Sequence, residues 1–155
     1  VETAVADERE SLAQMVEAML DGRRSDACAA GAEFLEGRRA RYALLEGVEV
    51  SASDGSPGSC AVAEAVMELE EGSADYASWT MLFQLGRASR DQLMRRYRAV
   101  QDDAFYLTGA MQLHAIELME PDEIGGMRER IAAAATADSG AIQVLFEESL
   151  ERWCR

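Results

Sequence analysis

The sequence predicts an all-α fold, an antiparallel bundle of six to seven helices, and three observations carry that expectation. Nearly every segment repeats its apolar residues at three- and four-residue spacing. The segments are separated by glycine, proline or a capping residue. The one stretch that alternates with a period of two, VEVSAS at 48–53, is too short to find a partner strand and reads as loop. The chain has 155 residues, 48% of them hydrophobic and 28% charged, which suits one folded bundle with a sizeable core.

Leu12, Met15, Val16 and Met19 mark the first helix, ending near Asp21-Gly22. Phe34, Leu35, Tyr42 and Leu45 mark a second, from about Ser25 to Gly47. Residues 48–59 are expected to be a loop, with Ser56 as N-cap and Pro57 at the first position of the next helix, where its missing N–H costs nothing. Val62, Val66 and Leu69 give the third helix, stopped at Gly72. The fourth carries Tyr76, Trp79, Thr80 and Phe83 close to one face, and Gly86 weakens its end. Ser89 with Gln92 makes a capping box for a fifth helix. Leu93, Tyr97, Val100, Ala104, Leu107, Met111 and Ile116 extend that helix to about Met119. Pro121, followed by Asp122 and Glu123 at the positive end, starts another through Ile124, Met127 and Ile131. Asp138 or Ser139 caps the last, whose buried stripe is Ile142, Leu145, Phe146, Leu150 and Trp153.

The formal net charge is −14 and all fifteen basic residues are arginine, a usage that fits a GC-rich genome. So acidic a surface repels nucleic-acid phosphates, and no apolar run reaches the roughly 20 residues of a membrane span. Cys28, Cys60 and Cys154 are odd in number, far apart and without a CxxC pair. They are expected to form neither a disulfide nor a zinc site, as befits a reducing cytoplasm.

Positive signs of catalysis are absent. His114 is the single histidine, has no nucleophile elbow to serve, and reads as a half-buried residue satisfied by a neighbour. Acidic pairs such as Glu70-Glu71, Asp102-Asp103 and Glu147-Glu148 diverge around a helix and read as solvated faces. The arginines say more. Arg38 and Arg41 lie one turn apart beside Tyr42, as do Arg95 and Arg98 on the fifth helix. If either pair turns inward it needs an anionic partner, from the protein or a ligand; otherwise it forms surface ion pairs with neighbouring glutamates.

The stretch FLEGRRARYAL, residues 34–44, resembles the first-helix signature of the FCD domain, the effector-binding half of many GntR-family transcription regulators. Leu35, Glu36, Gly37, Ala40, Arg41 and Ala43 keep its register. WTMLF followed by RASRDQL, with Trp79, Phe83, Ala88 and Leu93, is similar to the next block. Ile131, Asp138, Ile142, Phe146 and Leu150 are similar to the last. The resemblance covers residues 25–155 and leaves 1–24 as a lead-in helix. It implies a domain that senses a small effector, dimerises, and touches DNA only through a winged-helix domain that residues 1–24 are too short to supply. A start at Val1 rather than Met fits an excised effector domain.

Many FCD domains hold a divalent metal through one Asp and three His. By resemblance those positions fall here at Tyr76, Thr80, Met127 or Arg128, and Ser149. Tyr76 stands at the Asp position, imidazole is gone from all three His positions, and Thr, Arg and Ser do not replace it toward zinc-like ions. The expectation is therefore no metal and no other cofactor. Two outcomes remain open. Tyr76, Thr80, Arg128 and Ser149 line a metal-free pocket for a small effector, a carboxylate or an acyl-CoA; or Trp79, Phe83, Phe146 and the methionines fill the space and leave a homodimerising module. Ala32, where the family's usual early Arg would stand, argues against a simple organic-acid site. The alternative from a different class is a stand-alone acidic helical chaperone that grips a basic peptide.

Overall fold

One face of α1 (Glu2–Leu20) is apolar at helical spacing, and Val5, Leu12, Met15 and Val16 are buried there. Gly22 closes the helix at φ +73°, a left-handed conformation that side chains resist, and Arg23 N donates to Ala18 O at 2.8 Å. The chain then reverses into α2 (Arg24–Leu44), which runs antiparallel to α1: Gly31 sits beside Met15, and Gly37 beside Glu8. The computed structural model describes residues 2–51, 57–99, 104–121, 129–131 and 140–155.

After α2 the structure departs from the loop expected over 48–59. Glu49–Ser51 (β1) pairs antiparallel with Pro57–Ser59 (β2). Val-Glu-Val does have a partner, supplied by the residues expected to open the next helix. Pro57 is tolerated because it sits at the end of an edge strand in a two-stranded ribbon. The N-cap of α3 (Cys60–Met67) is therefore Ser59 rather than Ser56, its hydroxyl accepting from Val62 N at 3.1 Å.

Gly72 does not end the third helix. A π-helical turn, Glu68–Gly72, joins α3 to α4 (Ser73–Gln84), and Gly72 is buried with helical φ −63°. Glycine inside a helix costs roughly 1 kcal/mol but does not forbid it. The true stop is Gly86 at φ +64°, with Arg87 N donating to Leu82 O. Ser89 and Gln92 form the expected capping box on α5 (Arg90–Arg98).

The fifth helix is not continuous to Met119. Ala99 is extended at ψ 128°, and α6 (Ala104–Met119) is a separate helix. The Tyr97 hydroxyl bonds to His114 Nδ1. On one straight helix those residues would be separated by about 25 Å, so the chain must fold back between them. Leu107, Ala110, Met111, Leu113, Ala115 and Ile116 are all buried, which makes α6 the central helix. The rod α3–π–α4 runs beside it in the same direction: Glu68 meets Thr108, and Tyr76 meets Glu117.

α7 (Ala141–Cys154) returns along α2 in the opposite direction, with Phe34 and Phe146 edge to face at 5.4 Å. Ile142, Leu145, Phe146 and Leu150 are buried and Trp153 is half-buried, as expected. The caps expected at Asp138 or Ser139, and most of the helix expected after Pro121, lie outside the described residues; residues 129–131 are helical. Cys28 and Cys154 are joined by a disulfide, contrary to the expectation from spacing. Sequence distance does not measure spatial distance, and the antiparallel packing of α2 on α7 brings the two ends together. Among the described residues no helix is long and apolar enough to cross a membrane.

Candidate ligand-binding site

Tyr76, Trp79 and Phe83 turn toward the core from α4, each half-buried. The Tyr76 hydroxyl donates to Glu117 Oε2 at 2.9 Å, and its ring stands edge-on to His114 at 4.8 Å. His114 is buried between Tyr76 and Tyr97, and burial pushes its pKa down to about 4, so the imidazole is neutral near pH 7. Burial also raises both phenols: Tyr76, with Glu117 adding to the effect, and Tyr97 well above the usual tyrosine value. This is a set of neutral hydrogen-bonding groups around one carboxylate.

Thr80 is one turn beyond Tyr76. Its hydroxyl lies close to the Tyr76 phenol, yet it is buried and makes no hydrogen bond of normal geometry. Thr80 also lines a cleft of about 320 Å³ between α1, α4, α5 and α6. Val16, Leu20, Phe83, Leu93 and Leu118 form its apolar walls, and His114, Glu117, Gln84 and Arg90 supply polar groups. Arg90 is engaged at the rim by Asp21 at 2.6 Å.

Of the four expected pocket residues, Tyr76 and Thr80 come together here. Ser149 is fully buried on α7 in a separate cluster, where its hydroxyl accepts from Arg152 at 3.4 Å. That cluster centres on Glu120, which Arg130 and Arg152 both engage. Burial works against the Glu120 carboxylate, but bonds from Arg152, Arg130 and Ser149 outweigh it and hold the pKa at about 2. Glu120 follows Glu117 by three residues, just past the end of α6, so Tyr76 and Ser149 meet neighbouring points near the end of that helix. The cleft beside Thr80 does not include Ser149. Arg128 and Met127 lie outside the described residues. Among the described residues no group of three His, Cys, Asp or Glu is arranged to hold a metal ion.

The most heavily bonded polar cluster was only half legible in the sequence. Arg38 and Arg41 turn inward and are buried. Arg38 donates to both oxygens of Glu68, at 2.5 and 2.9 Å, and to Glu8 at 3.2 Å. Arg41 forks to Glu64 at 2.5 and 2.7 Å and to Glu8 at 2.5 and 2.9 Å. Thr108 on α6 also donates to Glu68. Burial opposes both guanidinium charges; Glu68 and Glu8 around Arg38, and Glu64 and Glu8 around Arg41, outweigh it and raise both pKa values. The cluster ties α1, α2, the α3–π–α4 rod and α6 together. Its arginines are saturated by the protein's own carboxylates, so it acts as a brace. The missed partners had one signal: Glu8, between Val5 and Leu12, and Glu64 and Glu68, amid alanine and valine, sit on apolar helical faces.

No family model, no curated protein and no solved structure matches this chain.

Proposed function

We propose that the chain is a non-catalytic sensor of a small molecule, and that its ligand occupies the cleft beside Thr80 and Tyr76. The observation that carries this reading is Thr80, which lines a mostly apolar cleft and whose buried hydroxyl, beside the Tyr76 phenol, makes no hydrogen bond of normal geometry. A buried hydroxyl so poorly bonded is costly, and a ligand toward which the Thr80 side chain turns recovers that cost. The cleft is at the lower end of the range for small-molecule sites, and its apolar walls with a few polar groups match their usual make-up. An acid with a short apolar tail suits it, the tail against Phe83, Leu93 and Leu118 and the carboxylate competing with Asp21 for Arg90.

The resemblance to FCD domains supplies the finer reading. The chain is then the effector-binding half of a bacterial GntR-like transcription regulator, metal-free and homodimeric. DNA would be contacted through a separate winged helix. The cleft spans four helices, so a ligand that prefers one of their arrangements shifts the spacing of attached DNA-binding domains.

Thermal unfolding tests the site against a panel of short- and medium-chain carboxylates and acyl-CoAs. A ligand present at about 100 times its Kd stabilises the fold by roughly 2.7 kcal/mol, a rise in melting temperature that is easily read. The expected result is a shift for at least one acid that Leu93→Arg abolishes by filling the cleft, and no shift with zinc or nickel. Stoichiometric zinc bound by the purified chain would overturn the metal-free reading. A shift unaffected by Leu93→Arg would place the ligand elsewhere.

A further inference from the structure

The other side of α4 carries a second feature. No residue of this twelve-residue helix is fully buried, and its sequence, SADYASWTMLFQ, holds one charged residue, Asp75, paired with Arg96 at 2.9 Å. Tyr76, Trp79, Thr80 and Phe83 turn inward. Ala74, Ser78, Met81 and, just past the helix, Leu85 recur at spacings of four, three and four on the outward face, and all are exposed. Ala77 and Leu82 flank them; Met81 is 57% and Leu85 61% exposed. A solvent-facing helix without an exposed charge is an anomaly in a chain that is 28% charged. The pattern is that of a helix-pairing seam. Small residues at one end let a second backbone come close, and large apolar residues at the other end anchor it.

Charge selects the occupant. Glu70 and Glu71 are exposed one turn before Ala74, at the end of the same rod, and have no cationic partner among the described residues. A second copy laid parallel along this face would set Glu70 and Glu71 against their own equivalents, and an anionic lipid surface would be repelled by them. A helix with an apolar stripe flanked by Arg or Lys would cover Met81 and Leu85 and neutralise Glu70 and Glu71 together. We propose that the outward face of α4 is a docking surface for a basic amphipathic helix of another protein. The seam faces away from the Thr80 cleft and does not depend on a ligand there.

Fluorescence anisotropy with a labelled synthetic peptide of about 18 residues tests this directly, the length allowing a helix of several turns once docked. Leucine is placed along one stripe and arginine elsewhere, and a scrambled peptide of the same composition is the control. The whole chain is expected to bind the patterned peptide one to one, and at least about tenfold more tightly than the scrambled one. Met81→Glu and Leu85→Glu, both at exposed positions, should each weaken binding about tenfold with an unchanged circular dichroism spectrum. Glu70→Gln with Glu71→Gln should weaken it and flatten its salt dependence. Equal binding of both peptides, or wild-type affinity in Met81→Glu and Leu85→Glu, overturns the proposal. It is also overturned if sedimentation shows a dimer that Met81→Glu dissociates, or if phosphatidylglycerol vesicles bind with the same dependence on Met81 and Leu85.

Discussion

Thr80 is where the account is most exposed to a single substitution. Valine has nearly the shape of threonine without the hydroxyl, so Thr80→Val removes an unbonded buried group and leaves the packing. The free protein should become more stable, by up to about 1 kcal/mol in urea unfolding, while ligand affinity falls; destabilisation would mean that the hydroxyl already has a partner. His114 gives a pH prediction. Its folded pKa, about 4, lies below its ordinary value of 6.5. Between those values the unfolded chain takes up a proton that the folded chain refuses. Stability attributable to His114 is thus intact above pH 6.5 and falls by roughly 3 kcal/mol as pH drops to 4. Glu120 acts in a lower window: its contribution is present above 4.5 and lost as pH falls toward 2. Urea unfolding of His114→Phe, which keeps a ring against Tyr76, should show a flatter pH dependence between 6.5 and 4; an unchanged slope would remove His114 from the explanation. That His114 is a partnered helix histidine was legible in the sequence, because nothing near it offered other employment, although it is buried rather than half-buried. Its partner was not, because Tyr97 had been read onto the same continuous helix.

At the scale of elements, the π turn and the brace depend on each other. Gly109 on α6 lies so close to the rod that a methyl group there would stand 2.5 Å from Glu68 O. The obstruction is backbone, which cannot swing aside, so Gly109→Ala should destabilise by at least 1–3 kcal/mol in chemical denaturation. Gly31 makes a useful contrast. A methyl group there meets the ends of Leu150 and Met15 at 2.9–3.0 Å, and flexible side chains can yield, so Gly31→Ala should cost less. The reverse order would contradict the rigid contact between α6 and the rod. Arg41→Met leaves Glu8 and Glu64 short of their cation and should cost about 3–5 kcal/mol. Period and capping identified most helices correctly, Ser89-Gln92 and Gly86 above all. They failed where a local signal was overruled: at Gly72, where the rod continues through a glycine, and at Ala99, where an unbroken apolar period conceals a reversal. Glu49–Ser51 was missed because its partner begins with a proline that looked like a helix start.

For the whole molecule, the disulfide pins the last turn of α7 to the first turns of α2 across 126 residues of sequence. Closing so long a loop removes much unfolded-state entropy, up to about 5 kcal/mol in the chain-entropy account. Cys28→Ser with Cys154→Ser, or treatment with dithiothreitol, should lower the melting temperature by many degrees without changing helix content; an unchanged melting temperature would mean that the bond contributes little to the fold. The bundle was legible as a class from composition and period, whereas the pairing of two distant cysteines depends on helix directions that the sequence does not display. The expected pocket divided for a similar reason: Tyr76 and Thr80 share a helix and stay together, while Ser149 arrives on α7 and meets Glu120 instead. The most direct measurement of the central claim is a heteronuclear NMR titration of the chain with the acid that gives the largest thermal shift. The account predicts that chemical-shift changes concentrate at Val16, Leu20, Thr80, Phe83, Leu93, His114 and Leu118. Changes centred instead on Tyr42, Ala61 and Gln143, or on no continuous set of residues, would contradict it.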